Sequence, residues 1–304
     1  MGGEQVAVLL MAYGGPGSLD EVEPFLQDVR GGRPTPPHLV AELRARYARI
    51  GGRSPIRELT EAQAAGVARL LGERFAVYVG MRHWHPYIAD TVARIARDGH
   101  RRVVGIVLAP HYSALSIGVY DARLREAARG RLDPIVVPRW GEEPAFLDAV
   151  AGRVTRALAR FPAAPAVRVI FTAHSLPERI RALGDPYPTE LEASAAAVAA
   201  RVGLREWRVA YQSAGATPEP WLGPDAGVVL RELVGQGHRA FLLVPIGFVC
   251  DHVEILYDVD VAYRALAAEL GARLERTESL NDDPLLVTAL AAIARRAAAA
   301  QGWV

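Results

Sequence analysis

Val8-Leu9-Leu10-Met11-Ala12-Tyr13-Gly14 and Val169-Ile170-Phe171-Thr172-Ala173-His174-Ser175 are the stretches that decide the fold. Each is an apolar run that ends on a ring able to do chemistry and then on a small residue. A third run, Val103-Val104-Gly105-Ile106-Val107-Leu108, has no polar position at all. Runs apolar at every position suit strands covered on both faces, hence parallel sheets with helices on each side. Working outward, strands are expected at 6–13, 76–81, 103–109, 135–137, 167–173, 207–212, 240–246 and 273–277. Helical periodicity lies between them, at 18–29, 37–49, 60–73, 87–97, 144–160, 190–201, 225–236, 252–269 and 284–299. Alternating strands and helices predict an α/β fold. The first two runs match, and Gly99-His100-Arg101 and Gly237-His238-Arg239 each lead into a strand. The expectation is therefore two similar Rossmann-like lobes, each a parallel β-sheet flanked by helices. The amino-terminal lobe is read as 1–112 and the carboxy-terminal lobe as 166–283. Between them runs a Pro-containing connecting segment, 113–165, and a last helix at about 284–304 is expected to pack back on the first lobe.

Composition narrows the function. A chain of 304 residues has room for about two domains with real cores. It is 51% hydrophobic and 23% charged, so it is neither disordered nor a coiled coil. Its 35 basic residues face 34 acidic ones, which argues against a nucleic-acid or anionic-membrane binder. Every basic residue is Arg, so lysine chemistry is excluded. The lone Cys250 excludes a disulfide framework, a multi-cysteine zinc site and a four-cysteine iron–sulfur cluster within the chain. Uncharged apolar stretches such as 241–250 fall far short of the ~20 residues of a membrane span. The opening Met1-Gly2-Gly3-Glu4-Gln5 lacks the basic lead of a signal peptide, so a cytoplasmic protein is expected.

Open α/β sheets bind ligands at the carboxyl ends of their strands. The residues that follow the strands are Tyr13, His83, His111, His174, Ser213 and Glu254, which the pattern places around one cleft. Ser175 and Glu178 read as a capping box, which leaves His174 unexplained. A neutral imidazole there can accept a proton or bind a metal. Asp251 and Glu254 also fit a capping box, yet Glu254 and Asp258 are four apart on one helix face. Two acids facing a cleft repel unless they hold a cation or share a proton. His252 is expected to face elsewhere, and Cys250 to be a small buried hydrophobe. Gly14-Gly15-Pro16-Gly17 invites a dinucleotide reading, but its spacing is wrong and Pro16 lacks an N–H. A backbone turn explains it better, with Ser18 and Glu21 capping the next helix. Most arginines read as solvated surface, but Arg46-Tyr47 beside Gly51-Gly52-Arg53-Ser54-Pro55 can grip carboxylates in bidentate fashion.

From residue 8 to about 260 the chain resembles the ferrochelatase family. The resemblance rests on Met11-Ala12-Tyr13-Gly14, Ile50-Gly51-Gly52-Arg53-Ser54-Pro55 and Leu108-Ala109-Pro110-His111-Tyr112-Ser113. It continues with Ala173-His174-Ser175-Leu176-Pro177, Gln212-Ser213, Trp221-Leu222-Gly223-Pro224-Asp225 and Pro245-Ile246-Gly247-Phe248-Val249-Cys250-Asp251-His252-Val253-Glu254. It implies a chelatase-like fold with a porphyrin cleft between the lobes and insertion of Fe2+ into the ring. It implies His174, Glu254 and Tyr13 as catalytic and metal residues, with Asp258 as a further metal contact. Tyr13 and Gly184-Asp185-Pro186-Tyr187-Pro188 resemble the Gram-positive-type branch, which acts on coproporphyrin III. By the same resemblance Arg30, Arg46, Tyr47, Ser54, Tyr120, His83 and Trp221 bind substrate. Iron is then a substrate, and no resident cofactor or iron–sulfur cluster is expected. Implied partners are the porphyrin, Fe2+ and, transiently, the preceding and following enzymes of haem synthesis; a monomer is favoured over a dimer. The chain departs from the family at Ala262, where a further glutamate is common, at Arg82 for lysine, at Gly31 for a second arginine and at Cys250. Competing readings are a protoporphyrin IX ferrochelatase, a cobalt or nickel tetrapyrrole chelatase, a porphyrin carrier and a two-lobe nucleotide-sugar enzyme.

Overall fold

The structure is a computed structural model that describes residues 5–162 and 167–304. The leader reading at residues 1–4 and the join at 163–166 lie outside the described residues. Strands β1 (Val6–Ala12), β2 (Phe75–Met81), β3 (Arg102–Val107) and β4 (Asp133–Val137) form one sheet in the order β2-β1-β3-β4. Strands β5 (Arg168–His174), β6 (Trp207–Gln212), β7 (Ala240–Val244) and β8 (Arg273–Arg276) form a second in the equivalent order β6-β5-β7-β8. Every pairing is parallel; Val8 sits opposite Val77 and Val104, and Phe171 opposite Val209 and Val244. Both sheets reverse winding direction at their central strand. The crevices that bind ligands in such sheets open there, at the ends of β1 and β3 and of β5 and β7.

The helices are α1 (Val22–Val29), α2 (Pro37–Arg49), α3 (Ile56–Leu71), α4 (Ile88–Arg97), α5 (Ile117–Ala128), α6 (Pro144–Leu158) and α7 (Tyr187–Val202). They continue with α8 (Ala226–Gly235), α9 (Val253–Leu256), a π-helical segment Asp258–Tyr263, α10 (Arg264–Glu269) and α11 (Pro284–Ala300). All seven residues of β1 are buried. Val6, Val8 and Leu10 face a core that runs on through α6, α7 and α11 to Val169 and Phe171 of the second sheet. Ala7, Leu9 and Met11 face α4 and α5. Phe241, Leu243 and Ile170 pack outward on α8 and the π-helical segment. One apolar core thus joins the two sheets through a shared helical layer.

Residues 113–165 carry α5, β4 and α6, and β4 is the edge strand of the first sheet. The pattern at 117–128 shows no helix to sequence reading because only Ile117, Tyr120, Leu124 and Ala128 are buried, a stripe one residue wide. Helix α11 lies against α3 so closely that a Cβ on Gly66 would stand 2.9 Å from Val287. The single expected helix at 252–269 is broken into α9, the π-helical segment and α10. Among the described residues no helix is long and apolar enough to cross a membrane.

Candidate active site

His174 ends β5, and its carbonyl accepts a hydrogen bond from the Tyr187 hydroxyl at 2.8 Å. Its ring Nδ1 contacts the Ser175 carbonyl. A carbonyl only accepts, so Nδ1 carries the hydrogen and Nε2 is left for the cleft. Nε2 lies 3.5 Å from Glu254 Oε1. The Trp221 ring stands 6.4 Å from the imidazole, centroid to centroid.

Glu254 sits on α9, the first helix after β7. A buried relay holds its backbone: the Thr172 hydroxyl donates to Gln212 Oε1 at 2.7 Å, and Gln212 Nε2 donates to the Glu254 carbonyl at 2.8 Å. Glu254 Oε2 is buried without a hydrogen-bond partner. His252 Nε2 lies 3.9 Å from that oxygen. The His252 Nδ1 faces the Cys250 carbonyl at 2.9 Å, so this ring too aims Nε2 at the carboxylate. Burial opposes charge on both partners. For His252, the Glu254 carboxylate, the Cys250 carbonyl and Asp251 outweigh burial, and its pKa rises above the ordinary imidazole value. For Glu254, His174, His252 and the Ser213 hydroxyl outweigh burial and lower the carboxyl pKa. Glu254 is therefore an ionised carboxylate flanked by two imidazoles.

Asp258 lies behind it. Ser213 donates to Asp258 Oδ2 at 2.5 Å and holds φ at 57°, a left-handed backbone in which serine is strained. Burial raises the Asp258 pKa, and Glu254 adds to the effect; Ser213, Arg46 and His252 oppose it. Arg46, on α2 of the first lobe, reaches to 3.5 Å from Asp258 Oδ1 and lies 5.2 Å from the Tyr257 ring centroid.

The first lobe supplies the other wall. Tyr13 follows β1 and is 41% exposed, with the Phe25 ring edge-on 6.4 Å away. Burial, then Glu254, push its pKa up to about 12, so the phenol keeps its proton. The His83 ring stacks 4.7 Å from it. Asp28 holds His83 Nδ1 at 2.7 Å and accepts from Tyr87 at 3.2 Å. Burial still brings His83 down to about 4, so it is neutral at pH 7. Tyr47 is buried, and its pKa is raised by burial, then by Glu254 and Tyr13. Tyr120 is buried beneath Arg82, whose guanidinium lies 5.4 Å from its ring and 5.9 Å from that of Tyr13. Arg30 caps the end of α1, and its Nε is buried with no partner. Ser54 is buried against Gly15, where a Cβ would come 2.6 Å from its side chain.

Several expectations need correction. Ser175 does not cap a helix; its hydroxyl donates to the Leu222 carbonyl at 2.8 Å, and Glu178 begins only a 3-10 turn. Asp251 does not cap α9; it accepts from Ser279, Asn281 and Arg276. Glu21 accepts from the Gly17 N–H and the Trp84 indole rather than completing a box with Ser18. His111 is not in the cleft. It is buried against Ser194 of the second lobe at 2.9 Å, and burial lowers its pKa to about 3. His252 does not face away from Glu254. Cys250 is a buried thiol raised to about 12 by burial and then by Asp251. Of the expected metal set, His174 and Glu254 meet directly, Asp258 stands behind Glu254, and Tyr13 comes from the other lobe. Among the described residues no three His, Cys, Asp or Glu side chains form a preformed metal cage. The sequence places Ser213 at the cleft and Tyr187 in a family-like stretch, but their contacts, to Asp258 and to the His174 carbonyl, emerge only in the structure, because neither a left-handed backbone nor a hydroxyl reaching 13 residues leaves a local sequence signal.

The arrangement offers a carboxylate with an unpartnered oxygen beside an imidazole, set between aromatic walls and backed by cations. That suits removal of protons from, and delivery of a cation to, a flat anionic ligand. The family model described as Ferrochelatase matches residues 5–298. The chain is 46% identical to the ferrochelatase of Herpetosiphon aurantiacus, over 94% of this chain and 97% of the relative. It is 42% identical to the coproporphyrin III ferrochelatase of Geobacillus kaustophilus, over 97% and 96%, and 39% identical to that of Bacillus subtilis, over 96% and 98%. Among solved structures, SirB from Bacillus subtilis with Fe3+ superposes with a TM-score of 0.60 at 13% identity, covering 98% of this chain and 97% of SirB. CbiX, a siroheme-biosynthesis enzyme, superposes at 0.56 and 14%, covering 96% and 99%. These two likenesses carry the fold alone. The family match and the near full-length identities carry more: the chain belongs to the ferrochelatase family and is a metal chelatase that inserts iron into a porphyrin.

Proposed function

We propose that this enzyme converts coproporphyrin III to its iron complex in haem biosynthesis, with His174 and Glu254 as the metalation pair. The observation that carries the residue assignment is the Glu254 carboxylate, ionised, 3.5 Å from His174 Nε2, with its second oxygen buried and unpartnered. Metalation releases two pyrrole protons as Fe2+ gains four nitrogen ligands. Glu254 and His174 accept those protons or guide the incoming Fe2+ on one ring face, and Asp258 passes charge toward solvent. Tyr13 presents a protonated phenol from the other lobe, and Trp221 forms a wall beside His174.

The substrate assignment rests on anion capacity. Coproporphyrin III carries four propionates, two more than protoporphyrin IX. The buried Arg30 Nε has a donor to spare, and Arg46, on the same lobe, reaches across to Asp258 of the second. Tyr47, Ser54, Tyr120 and His83 supply the surrounding polar contacts. Relatives named coproporphyrin III ferrochelatases at 42% and 39% identity favour this substrate. A second reading, protoporphyrin IX, stays open because the relative at 46% identity is named a ferrochelatase with no porphyrin specified. Iron acts as substrate without a resident cofactor, one chain forms the site, and the reduced, buried Cys250 fits the cytoplasm.

His174→Ala and Glu254→Gln test the residue assignment. Each should retain porphyrin binding, seen as fluorescence quenching, while turnover falls by on the order of 10²-fold or more. Turnover within twofold of wild type in either variant would refute the pair. A wild-type protein that binds porphyrin tightly but metalates none would point to a carrier.

A further inference from the structure

We infer that Arg276 is a positioning residue for metal insertion, gripping from behind the two segments that present Glu254 and Asp258. The inference rests on Glu254 being part of the metalation pair. Arg276 ends β8, and its side chain is only 12% exposed. Its Nε and Nη2 donate to the two Asp260 oxygens at 2.9 and 2.8 Å, the planar fork that arginine makes with a carboxylate. Nη2 also lies 3.3 Å from Asp251 Oδ1, and Nη1 donates to the Thr277 carbonyl at 3.0 Å. One guanidinium thus ties Asp251, three residues before Glu254, to Asp260, two residues after Asp258.

The grip is reinforced at each end. Asp251 accepts from Ser279 at 2.7 Å and Asn281 at 3.0 Å, and its N–H donates to Asn281 Oδ1 at 2.9 Å. Gln63 of α3 donates to the Asn281 carbonyl at 2.6 Å, so the loop after β8 is also pinned to the first lobe. Asp260 lies in the π-helical segment, two residues from Asp258, and residues so spaced face opposite sides of a helix. Asp258 therefore looks into the cleft while Asp260 looks back at Arg276. The guanidinium lines a separate cavity of about 570 Å3 whose walls include no cleft residue.

The need for such a grip follows from the charges. Glu254 and Asp258 are two carboxylates one turn apart facing the same cleft, and like charges so placed repel. They are carried by a four-residue helix and a π-helical segment, neither of which is stable alone. Without a brace the two acids would spread, and the carboxylate would drift from His174. Porphyrin contacts on the first lobe would be untouched.

Arg276→Gln, Arg276→Lys and Asp260→Asn test this with Zn2+ or Fe2+ and whichever porphyrin the wild type turns over. Arg276→Gln should lower kcat by on the order of tenfold to 10²-fold while the porphyrin KM stays within about twofold. Arg276→Lys should recover part of the loss, since a point charge cannot fork between two carboxylates. Asp260→Asn should show the same kcat loss, and the double variant should be no worse than either single one. A folded Arg276→Gln or Asp260→Asn protein with wild-type kcat would overturn the inference, as would a loss confined to the porphyrin KM. If Arg276→Gln does not fold, Asp260→Asn alone decides. Glu254→Gln, assayed alongside, separates the two ideas. A silent Glu254→Gln refutes the metalation pair; an inert Glu254→Gln with normal clamp variants refutes only the brace.

Discussion

Gly247→Ala should disable the enzyme without touching any polar group in the cleft. Gly247 follows β7, and its N–H donates to the Thr172 carbonyl at 3.1 Å. A Cβ built there would stand 2.4 Å from Ala173 Cβ and 2.8 Å from Ala173 Cα, whereas ordinary contact begins near 3.4 Å. The backbones must part by the difference, 3.4 − 2.4, or about 1 Å, because neither atom belongs to a flexible side chain. Ala173 is the residue before His174, whose Nε2 is 3.5 Å from Glu254. A shift of ~1 Å at a reacting group costs ~10²-fold in rate. Overpacking of this kind destabilises by ~1–3 kcal/mol, a melting shift of several degrees. The assay is steady-state metal insertion followed spectrally, with thermal unfolding by circular dichroism. Gly235→Ala, at the end of α8 where an added Cβ meets nothing within 4 Å, is the control and should leave kcat unchanged. A folded Gly247→Ala protein with kcat within twofold of wild type would refute the claim that the β5–β7 contact sets the His174–Glu254 geometry.

Three further tests probe contacts around the cleft and the buried histidines. Ser213→Gly relieves the positive φ but removes the 2.5 Å hydrogen bond to Asp258; stability should change by less than ~1 kcal/mol while kcat falls about tenfold, and an unchanged kcat would take Ser213 out of the site. Tyr187→Phe leaves the His174 carbonyl without its 2.8 Å donor and should cost ~1–3 kcal/mol in denaturant unfolding; no loss would deny that bond. His83 and His111 sit folded at about 4 and about 3, below the ordinary 6.5, so the unfolded chain takes up their protons first as pH falls. Their stabilising effect is full above about 6.5 and is lost toward those lower values, at ~1.4 kcal/mol per pH unit for each histidine. Unfolding at pH 7 and pH 5 should show this loss, and His111→Gln should reduce its slope by one proton; a wild-type stability flat between those pH values would contradict the burial argument.

All eight strands lie within about two residues of where the sequence places them, and β1, β3 and β7 are the plainest because a strand buried on both faces has few polar positions to confuse the reading. Tyr13 follows β1, His174 closes β5 and Glu254 sits on the first helix after β7, so the order of elements alone brings the three toward one cleft. What local pattern cannot supply is the competition for side chains. Ser175 and Asp251 have the spacing of caps, but distant partners claim them, Leu222 for one and Ser279, Asn281 and Arg276 for the other. His111 looks like a cleft residue by its position after β3, yet the lobes close over it and Ser194 takes its Nε2. His252 lies two residues from Glu254, which would point it away in a regular helix. It precedes α9 in an extended conformation, and so its ring turns back toward the carboxylate.

The most direct test of the account is anaerobic metalation of coproporphyrin III and protoporphyrin IX by the wild-type enzyme, followed through the visible bands. The account predicts that the free-base bands of coproporphyrin III collapse with Fe2+ to the simpler metalloporphyrin pattern, much faster than those of protoporphyrin IX, and that Glu254→Gln abolishes the change. Faster turnover of protoporphyrin IX would contradict the propionate assignment to Arg30 and Arg46. An undiminished rate in Glu254→Gln would contradict the metalation pair itself.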